Sequence, residues 1–275
     1  MIKKIIHCSD IHIRNFQRLE EYAEQLTHFT NLCREIASDY ERDEVRIVIC
    51  GDILHSKNNI SSELIAFTSA FLRQLEAICD VIVIAGNHDL IVNNTTRKDA
   101  ISALFETANF EHCHLLDSVL DYQSGCVVDE NITWCVYSIF NDFLRPDIEQ
   151  AIIDNPDNKL VGLFHGMIVG AKLQNNQIAE NGLNTDIFQG CHCVMAGDIH
   201  KRQTIKRNGT KLVYSGSMIQ QTFGETVQNH GFVVWDVKTM THEFIDLDSQ
   251  YGLYDIELSS IDDLDNNNEK LINLN

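Results

Sequence analysis

Residues 46–55 read Arg-Ile-Val-Ile-Cys-Gly-Asp-Ile-Leu-His, and they show the pattern on which the fold is built. The first five residues are mostly β-branched or apolar, which predicts a buried strand over 46–50. The chain continues with Gly51, Asp52 and, three residues later, His55. A strand end needs neither the carboxylate nor the imidazole for its own stability. In open α/β sheets, ligands bind beyond the carboxyl ends of strands, so this stretch predicts a strand that leads into a functional site.

The same arrangement follows four other apolar stretches, which predict strands over 3–8, 81–84, 160–164 and 192–196. The polar motifs after these strands are Asp10-Ile11-His12, Gly86-Asn87-His88-Asp89, His165-Gly166 and Gly197-Asp198-Ile199-His200. One such motif is weak evidence for a functional site, because Asp-x-His arises by chance. A single histidine is also more often a surface or hydrogen-bonded residue than a ligand. Five motifs in series, all at strand ends, predict one shared site.

Apolar residues between the first strands recur at helical spacing and predict helices over 19–36 and 60–78, with a third over 99–106. Strands that alternate with helices in this way indicate parallel strands joined by crossover helices. The second half is richer in short strands, and Asn208-Gly209 between two of them predicts a hairpin. We therefore predict an α/β fold, a two-sheet β-sandwich flanked by helices in four layers, α/β/β/α.

The periodic pattern extends to about residue 248, which predicts one domain over 1–248. Residues 249–275 are acidic, and we expect either a tail or the start of a truncated capping domain there.

The nine cysteines include no Cys-x-x-Cys pair, which favours reduced thiols. Cys191-His192-Cys193 resembles a metal-binding tract, but neighbouring strand residues face opposite sides, so the structural interpretation is favoured.

The chain contains no apolar run of about 18 residues or more, so no membrane span is expected. Its N-terminal apolar stretch is too short for a signal peptide, and we expect a cytoplasmic or nucleoplasmic protein.

The net charge of −19 is unfavourable for binding nucleic acid. Residues 199–224 nevertheless contain five basic and no acidic residues. That segment is either a solvated hairpin face or a surface that faces DNA, and the sequence leaves both interpretations open.

Asp10 and His12 are two positions apart, so both side chains lie on the same side of an extended segment and can bind one ion. Asp198 and His200 have the same spacing. A mixture of carboxylate, imidazole and amide donors suits Mn²⁺, Fe²⁺ or Zn²⁺ better than it suits the soft ions that thiolates prefer.

The series Asp-x-His, Gly-Asp-x-x-His, Gly-Asn-His-Asp, His-Gly and Gly-x-x-His resembles the signature of the calcineurin-like metallophosphoesterases, and the resemblance covers residues 1–247. Within that superfamily, Tyr214-Ser215-Gly216-Ser217 and Phe223-Gly224-Glu225 resemble the SbcD-type DNA double-strand-break repair nucleases. The resemblance implies a metal-dependent DNA exo- and endonuclease that hydrolyses phosphodiester bonds at DNA ends. Two divalent cations, most simply Mn²⁺, would activate a hydroxide for in-line attack.

The resemblance also implies a role for each matching residue. One metal would be bound by Asp10, His12, Asp52 and His200, and the second by Asp52, Asn87, His165 and Asp198. His88 would stabilise charge or protonate the departing oxygen, with Asp89 as an orienting partner, and His55 would position the phosphate. The candidate substrate-binding residues are Lys201, Arg202 and Ser217.

Asp198 departs from the family pattern, which usually has histidine there. A carboxylate favours a hard ion such as Mn²⁺ or Mg²⁺ and lowers the positive charge of the site. Two interpretations therefore remain open. Either Asp198 binds the second metal, or the second metal site is lost and the chain is an inactive scaffold with the same fold. A small-substrate phosphatase or cyclic-nucleotide phosphodiesterase is the alternative within the enzyme class.

The expected partners are DNA and an SMC-like ABC ATPase of the SbcC type, as the resemblance implies. Relatives dimerise through helices near the second and third strands. Here the apolar faces of the predicted helices 60–78 and 99–106 are the candidates for a homodimer, although ordinary core packing accounts for at least half of each face.

Overall fold

A computed structural model describes residues 1–91 and 99–254 of the chain. The helices are α1 (Leu19–Ala37), α2 (Ser62–Glu76), α3 (Ala100–Ala108), α4 (Leu116–Val119) and α5 (Ile148–Asp154). The strands are β1 (Lys4–Cys8), β2 (Val45–Cys50), β3 (Asp80–Ile84), β4 (Cys113–Leu115), β5 (Gly125–Asp129), β6 (Ile132–Tyr137), β7 (Lys159–His165), β8 (Cys193–Gly197), β9 (Gln203–Arg207), β10 (Thr210–Tyr214), β11 (Gly231–Asp236) and β12 (Thr241–Asp246).

The described strands form two six-stranded sheets. The first has the order β12-β11-β1-β2-β3-β4, and its strands β1 to β4 run parallel. The second has the order β5-β6-β7-β8-β10-β9, and its central strands β6, β7, β8 and β10 run parallel. Each sheet is completed by antiparallel strands, so both sheets are mixed.

Three apolar clusters fill the spaces between the layers of the sandwich. One lies between the sheets and joins Ile5 and Val48 of the first sheet to Trp134 and Met195 of the second. Another packs α1, α2 and α3 against the outer face of the first sheet, and a third covers the outer face of the second sheet. The α/β sandwich predicted from the sequence is confirmed.

The longer predicted elements agree with the structure to within a few residues. α2 begins later than predicted because Ser61 caps it, accepting a hydrogen bond from the Leu64 amide at 3.2 Å. β9 and β10 form the predicted hairpin around Asn208-Gly209, both of which have positive φ. The prediction missed β4, β5, α4 and α5, which have only three to seven residues each and are too short for a clear periodicity.

Within 1–91 and 99–254, no helix has the length and apolar character needed to cross a membrane. The part of the predicted acidic tail from residue 255 onward lies outside the described residues. Much of the apolar face of α2 packs on the first sheet through Leu64, Phe71 and Leu75. A homodimer through helices 60–78 and 99–106 remains a prediction.

Candidate metal centre

The five motifs meet at one edge of the sandwich, where the carboxyl ends of strands from both sheets lie together. The ring of His165, at the end of β7, donates from Nδ1 to the carbonyl of Cys50, at the end of β2, over 2.7 Å. This hydrogen bond joins residues 115 positions apart and connects the two sheets directly at the site. The prediction that the strand-end motifs converge is confirmed.

The backbone at this edge adopts conformations that most residues avoid. Four of the predicted ligands have positive φ, namely Asp10 (53°), His12 (52°), Asp52 (55°) and Asp198 (90°). Gly86 has no room for a side chain, because an added Cβ would lie 2.2 Å from Oδ1 of Asp52. Such conformations persist only when the surroundings enforce them, and they cluster at functional sites.

Asp10, His12 and His200 form the first half of the centre. One potential ligand atom of each residue lies within 4.8 Å of the others. The Nε2 atoms of His12 and His200 are 3.0 Å apart, and Nε2 of His200 is 3.9 Å from Oδ1 of Asp10. Two ring nitrogens at this separation require a shared proton or a cation beside them. The structure therefore brings together three of the four ligands predicted for the first metal.

Glu225 orients His200, a role that the sequence did not reveal. Its Oε1 accepts a hydrogen bond from Nδ1 of His200 at 2.9 Å, and its Oε2 accepts from Ser217 Oγ and from the Gln221 amide. Because Nδ1 carries the proton, Nε2 of His200 presents its lone pair to the centre. A carboxylate behind a ligating histidine fixes the ring and raises its basicity. The one sequence signal was the position of Glu225 in the Phe-Gly-Glu motif.

Asn87, His165 and Asp198 form the second half. His165 Nε2 lies 3.0 Å from Oδ1 of Asn87 and 3.9 Å from Oδ1 of Asp198. Burial opposes a charge on His165, but the carboxylates of Asp52, Asp10 and Asp198 outweigh it and raise the pKa of the ring well above its ordinary value. The surroundings of His165 therefore favour a positive charge at Nε2.

Asp52 lies between the two halves. Its Oδ2 is 3.5 Å from Nε2 of His12 and 3.4 Å from Nε2 of His165. Its other oxygen, Oδ1, accepts a hydrogen bond from the His88 amide at 2.8 Å, which holds the carboxylate in place. Asp52 is thus positioned as the shared residue that the sequence resemblance implied.

The donor set suits two divalent cations. It offers three carboxylates, three imidazoles and one amide oxygen, and the His165 and His200 rings both direct Nε2 inward because Nδ1 is engaged elsewhere. Hard and borderline ions such as Mn²⁺, Fe²⁺ and Zn²⁺ take these ligands. Among the described residues, no cysteine belongs to a group that could hold an ion, and Cys191 and Cys193 are buried in the core.

His88 lies beside the centre, but its orienting partner is not the predicted one. Its ring centroid is 4.8 Å from that of His12, and its Nδ1 donates to the carbonyl of His55 at 2.7 Å. Asp89 is fully buried and accepts instead from the amides of Ile53, Leu54 and Gly86. The expected pairing of Asp89 with His88 is wrong, because these amides use the carboxylate to join two strand-end loops.

His55 is also at the site, with its ring centroid 5.5 Å from that of His12. Burial, the Arg14 guanidinium and His88 lower the pKa of the His55 ring to about 4. His55 is therefore neutral near pH 7.

The three candidate substrate-binding residues differ in their surroundings. Lys201 and Arg202 line a cavity of 310 Å³ that adjoins His200, where Lys201 contacts Asn176 and Arg202 forms an ion pair with Asp246. Ser217 is fully buried and donates to Glu225 at 3.1 Å. Ser217 does not fit the expected contact with substrate, because its hydroxyl supports Glu225 from inside the protein.

The sequence is similar to those of known proteins. Over 269 residues, 94% of this chain, the sequence is 35% identical to uncharacterized protein R555 of Acanthamoeba polyphaga mimivirus, and the match covers 19% of that protein. It is 27% identical over 239 residues to protein 244L of Invertebrate iridescent virus 6, provisionally named a phosphoesterase, covering 82% of this chain and 73% of that one. It is 26% identical over 263 residues to the SbcD component of the SbcCD nuclease of Staphylococcus epidermidis, covering 86% of this chain and 66% of that one.

The chain thus spans about a fifth of the length of its mimivirus relative and about two thirds of that of the staphylococcal protein. The family model described as calcineurin-like phosphoesterase matches residues 3–216, which include all five strand-end motifs and every predicted metal ligand. Together with the shared Asp52 between two clusters of donors, this match leads to one conclusion. The chain belongs to the calcineurin-like phosphoesterase family.

Proposed function

We propose that this chain is a metal-dependent DNA exo- and endonuclease that hydrolyses phosphodiester bonds at DNA ends in repair or recombination. The observation that carries the proposal is the position of Asp52 between two clusters of oxygen and nitrogen donors. Asp10, His12 and His200 would hold one divalent cation, and Asn87, His165 and Asp198 the other. When bound, the two cations neutralise the charge of the phosphodiester and make water a stronger nucleophile.

His88 is the side chain that we assign to proton transfer. Because Nδ1 donates to a carbonyl oxygen, Nε2 is the ring nitrogen available to the substrate. From there it can stabilise the negative charge that develops on the phosphate or protonate the departing oxygen. The carbonyl of His55 keeps the ring in this orientation.

The assignment to DNA is supported by one relative, the staphylococcal protein named as part of the SbcCD nuclease. We extend the proposal to its partners, an SMC-like ABC ATPase and a second copy of this chain that contacts the first through α2 and α3. The chain's net charge of −19 makes strong DNA binding by this chain alone unfavourable, so a partner that supplies basic surface is consistent with the proposal. We also propose Mn²⁺ as the metal and a cytoplasmic location.

A second candidate is hydrolysis of a small phosphate ester. The 310 Å³ cavity beside His200 supports it, since its volume is at the lower end of the range found for small-molecule sites. A scaffold without activity is less consistent with the structure, because every expected donor position holds a residue that can bind a metal.

Cleavage of linear DNA and of a nitrophenyl phosphodiester, each with and without Mn²⁺, separates these functions. The nuclease proposal expects Mn²⁺-dependent cleavage of both substrates, and it expects His88→Ala to abolish cleavage while metal content stays nearly unchanged. Cleavage of the small ester without any cleavage of DNA would contradict the nuclease and support the second candidate. Absence of both activities from the metal-loaded protein would support a scaffold.

A further inference from the structure

Arg14 is held beside the metal centre by the same backbone that positions two of its residues. Ile13 pairs with Leu54 in a parallel bridge, and the amide of His55 donates to the carbonyl of Ile13 at 3.0 Å. The loop after His12 and the loop after Asp52 therefore run side by side, and Arg14 and His55 follow the bridge on its two sides. The position of Arg14 is thus set by paired backbone rather than by a free surface loop.

The Arg14 guanidinium contacts His55 and Gln221. Nη1 is 3.0 Å from Nε2 of His55, and Nη2 donates to the carbonyl and to Oε1 of Gln221, both at 3.3 Å. Since a guanidinium only donates, Nε2 of His55 accepts and the proton of that ring resides on Nδ1. Gln221 is itself anchored, because its Nε2 donates to the carbonyl of Ile11 at 3.2 Å.

The partners of Arg14 are all neutral, which distinguishes it from most arginines of the protein. Among the arginines that the structure describes, six others form ion pairs with carboxylates: Arg18, Arg42, Arg46, Arg73, Arg145 and Arg202. No carboxylate among residues 1–91 and 99–254 forms an ion pair with Arg14, and its buried Nε has no hydrogen-bond partner there. The three hydrogen bonds above therefore orient the guanidinium without neutralising its charge.

We propose that Arg14 binds a non-bridging oxygen of the phosphodiester substrate, with His55 and Gln221 as the residues that position it. This inference rests on the proposed phosphodiester hydrolysis, and it holds for DNA and small esters alike. An arginine matches phosphate geometry and retains its charge at any working pH. In a chain with a net charge of −19, an unpaired cation beside the metal ligands attracts an anionic substrate to the site. His55 then acts on the phosphate through Arg14 rather than by contact.

Three variants test the proposal in the Mn²⁺-loaded protein: Arg14→Ala, Arg14→Lys and the control Arg18→Ala. Arg18 lies on the same loop, but it is paired with Glu21. The measurements are KM and kcat for bis(p-nitrophenyl) phosphate, the inhibition constant of inorganic phosphate, and metal content per chain. Arg14→Ala is expected to raise KM and the phosphate inhibition constant by about tenfold or more, with metal content unchanged.

Arg14→Lys keeps the charge but not the fork geometry, so it is expected to restore part of the lost affinity, and Arg18→Ala is expected to stay within about twofold of the unaltered protein. KM and phosphate inhibition that stay within twofold in Arg14→Ala would overturn the proposal. A rise in KM accompanied by loss of metal would also overturn it, because the role of Arg14 would then be structural.

The small ester keeps this test separate from the nuclease proposal. If the unaltered protein cleaves the ester but not DNA, a tenfold effect at Arg14 supports phosphate binding while the nuclease proposal fails. If it cleaves neither substrate, calorimetric titration of the metal-loaded protein with inorganic phosphate replaces the kinetics. Weaker phosphate binding by Arg14→Ala than by Arg18→Ala supports the proposal, and equal binding refutes it.

Discussion

The two halves of the candidate metal centre both offer carboxylate and imidazole donors, and only the second adds the amide oxygen of Asn87, but they differ more in how their donors are supported. In the first half, the predicted ligand His200 donates a hydrogen bond to Glu225, which in turn accepts hydrogen bonds from Ser217 and Gln221. In the second half, the side chain of the predicted ligand Asp198 is 26% exposed, and its hydrogen bond to Asp10 is made by its backbone amide. The two Asp-x-His motifs therefore serve the halves differently: Asp10 and His12 both lie in the first half, whereas His200 lies in the first half and Asp198 in the second. We expect the first half to bind its ion more tightly than the second.

The largest effect is expected from Asp52→Asn, which removes the charge shared by both halves. The variant should lose bound metal from both halves and lose at least about 10³-fold in ester hydrolysis, because both halves would lose the negative charge of the carboxylate that lies between them. Elemental analysis and steady-state kinetics measure the two losses. A variant that retained the metal content of the unaltered protein would refute the shared role of Asp52.

Glu225→Ala removes the carboxylate that orients His200, which belongs to the first half alone. Loss of a carboxylate behind a ligating histidine typically weakens metal affinity by about 10–100-fold, and we expect that decrease for the tighter of two Mn²⁺ binding steps. Calorimetric Mn²⁺ titration measures both steps, with Glu225→Gln as the control that keeps an acceptor oxygen. A decrease confined to the weaker step would show that the assignment of the halves is reversed.

Asp198→His changes a predicted ligand of the second half. An imidazole in place of the carboxylate should shift the preference of that half from Mn²⁺ towards Zn²⁺ by about tenfold, because nitrogen ligands suit Zn²⁺ better than they suit harder ions. Competition between Mn²⁺ and Zn²⁺ during metal loading measures the shift. Asp198→Asn, which keeps an oxygen donor, serves as the control. An unchanged preference in Asp198→His would mean that Asp198 is not a ligand.

The smallest effect is expected from replacing His7, which lies outside both halves and tests how burial alone shifts the pKa of a histidine. It is fully buried, as His165 nearly is, but burial lowers the pKa of His7 to about 3 whereas carboxylates raise that of His165. An unfolded chain binds a proton at His7 near pH 6.5, while the folded chain excludes it until about pH 3. The stability that His7 contributes is therefore present above pH 6.5 and is lost as pH falls towards 3.

His7→Leu should remove this loss. Relative to its own stability at pH 8, the variant should lose about 1 kcal/mol less than the unaltered protein at pH 5.5. Urea unfolding of both proteins at the two pH values measures the difference. Parallel pH profiles would show that His7 gains its proton at the same pH in the folded and unfolded chains.

Much of this centre was predictable from residues that are close in sequence. Motifs such as Asp10-Ile11-His12 and Gly197-Asp198-Ile199-His200 follow strands whose apolar pattern is clear, and parallel strands bring their carboxyl ends to a common edge. The supporting residues were less predictable. Asp89 follows His88 directly in the chain but serves the amides of another loop, and Ser217 lies in a polar motif but is fully buried.

Apolar periodicity and short spacings are local properties of the chain, so the sequence alone predicted the longer strands and helices, the order of the layers and the chemical types of the candidate ligands. Which side chains support which predicted ligands follows only from the folded structure. The amide of Asp198 donates to a carboxylate 188 positions away in Asp10, and Arg14 reaches Gln221 across 207 positions. Such pairings depend on how two sheets pack together, and no spacing along the chain encodes their distances or directions.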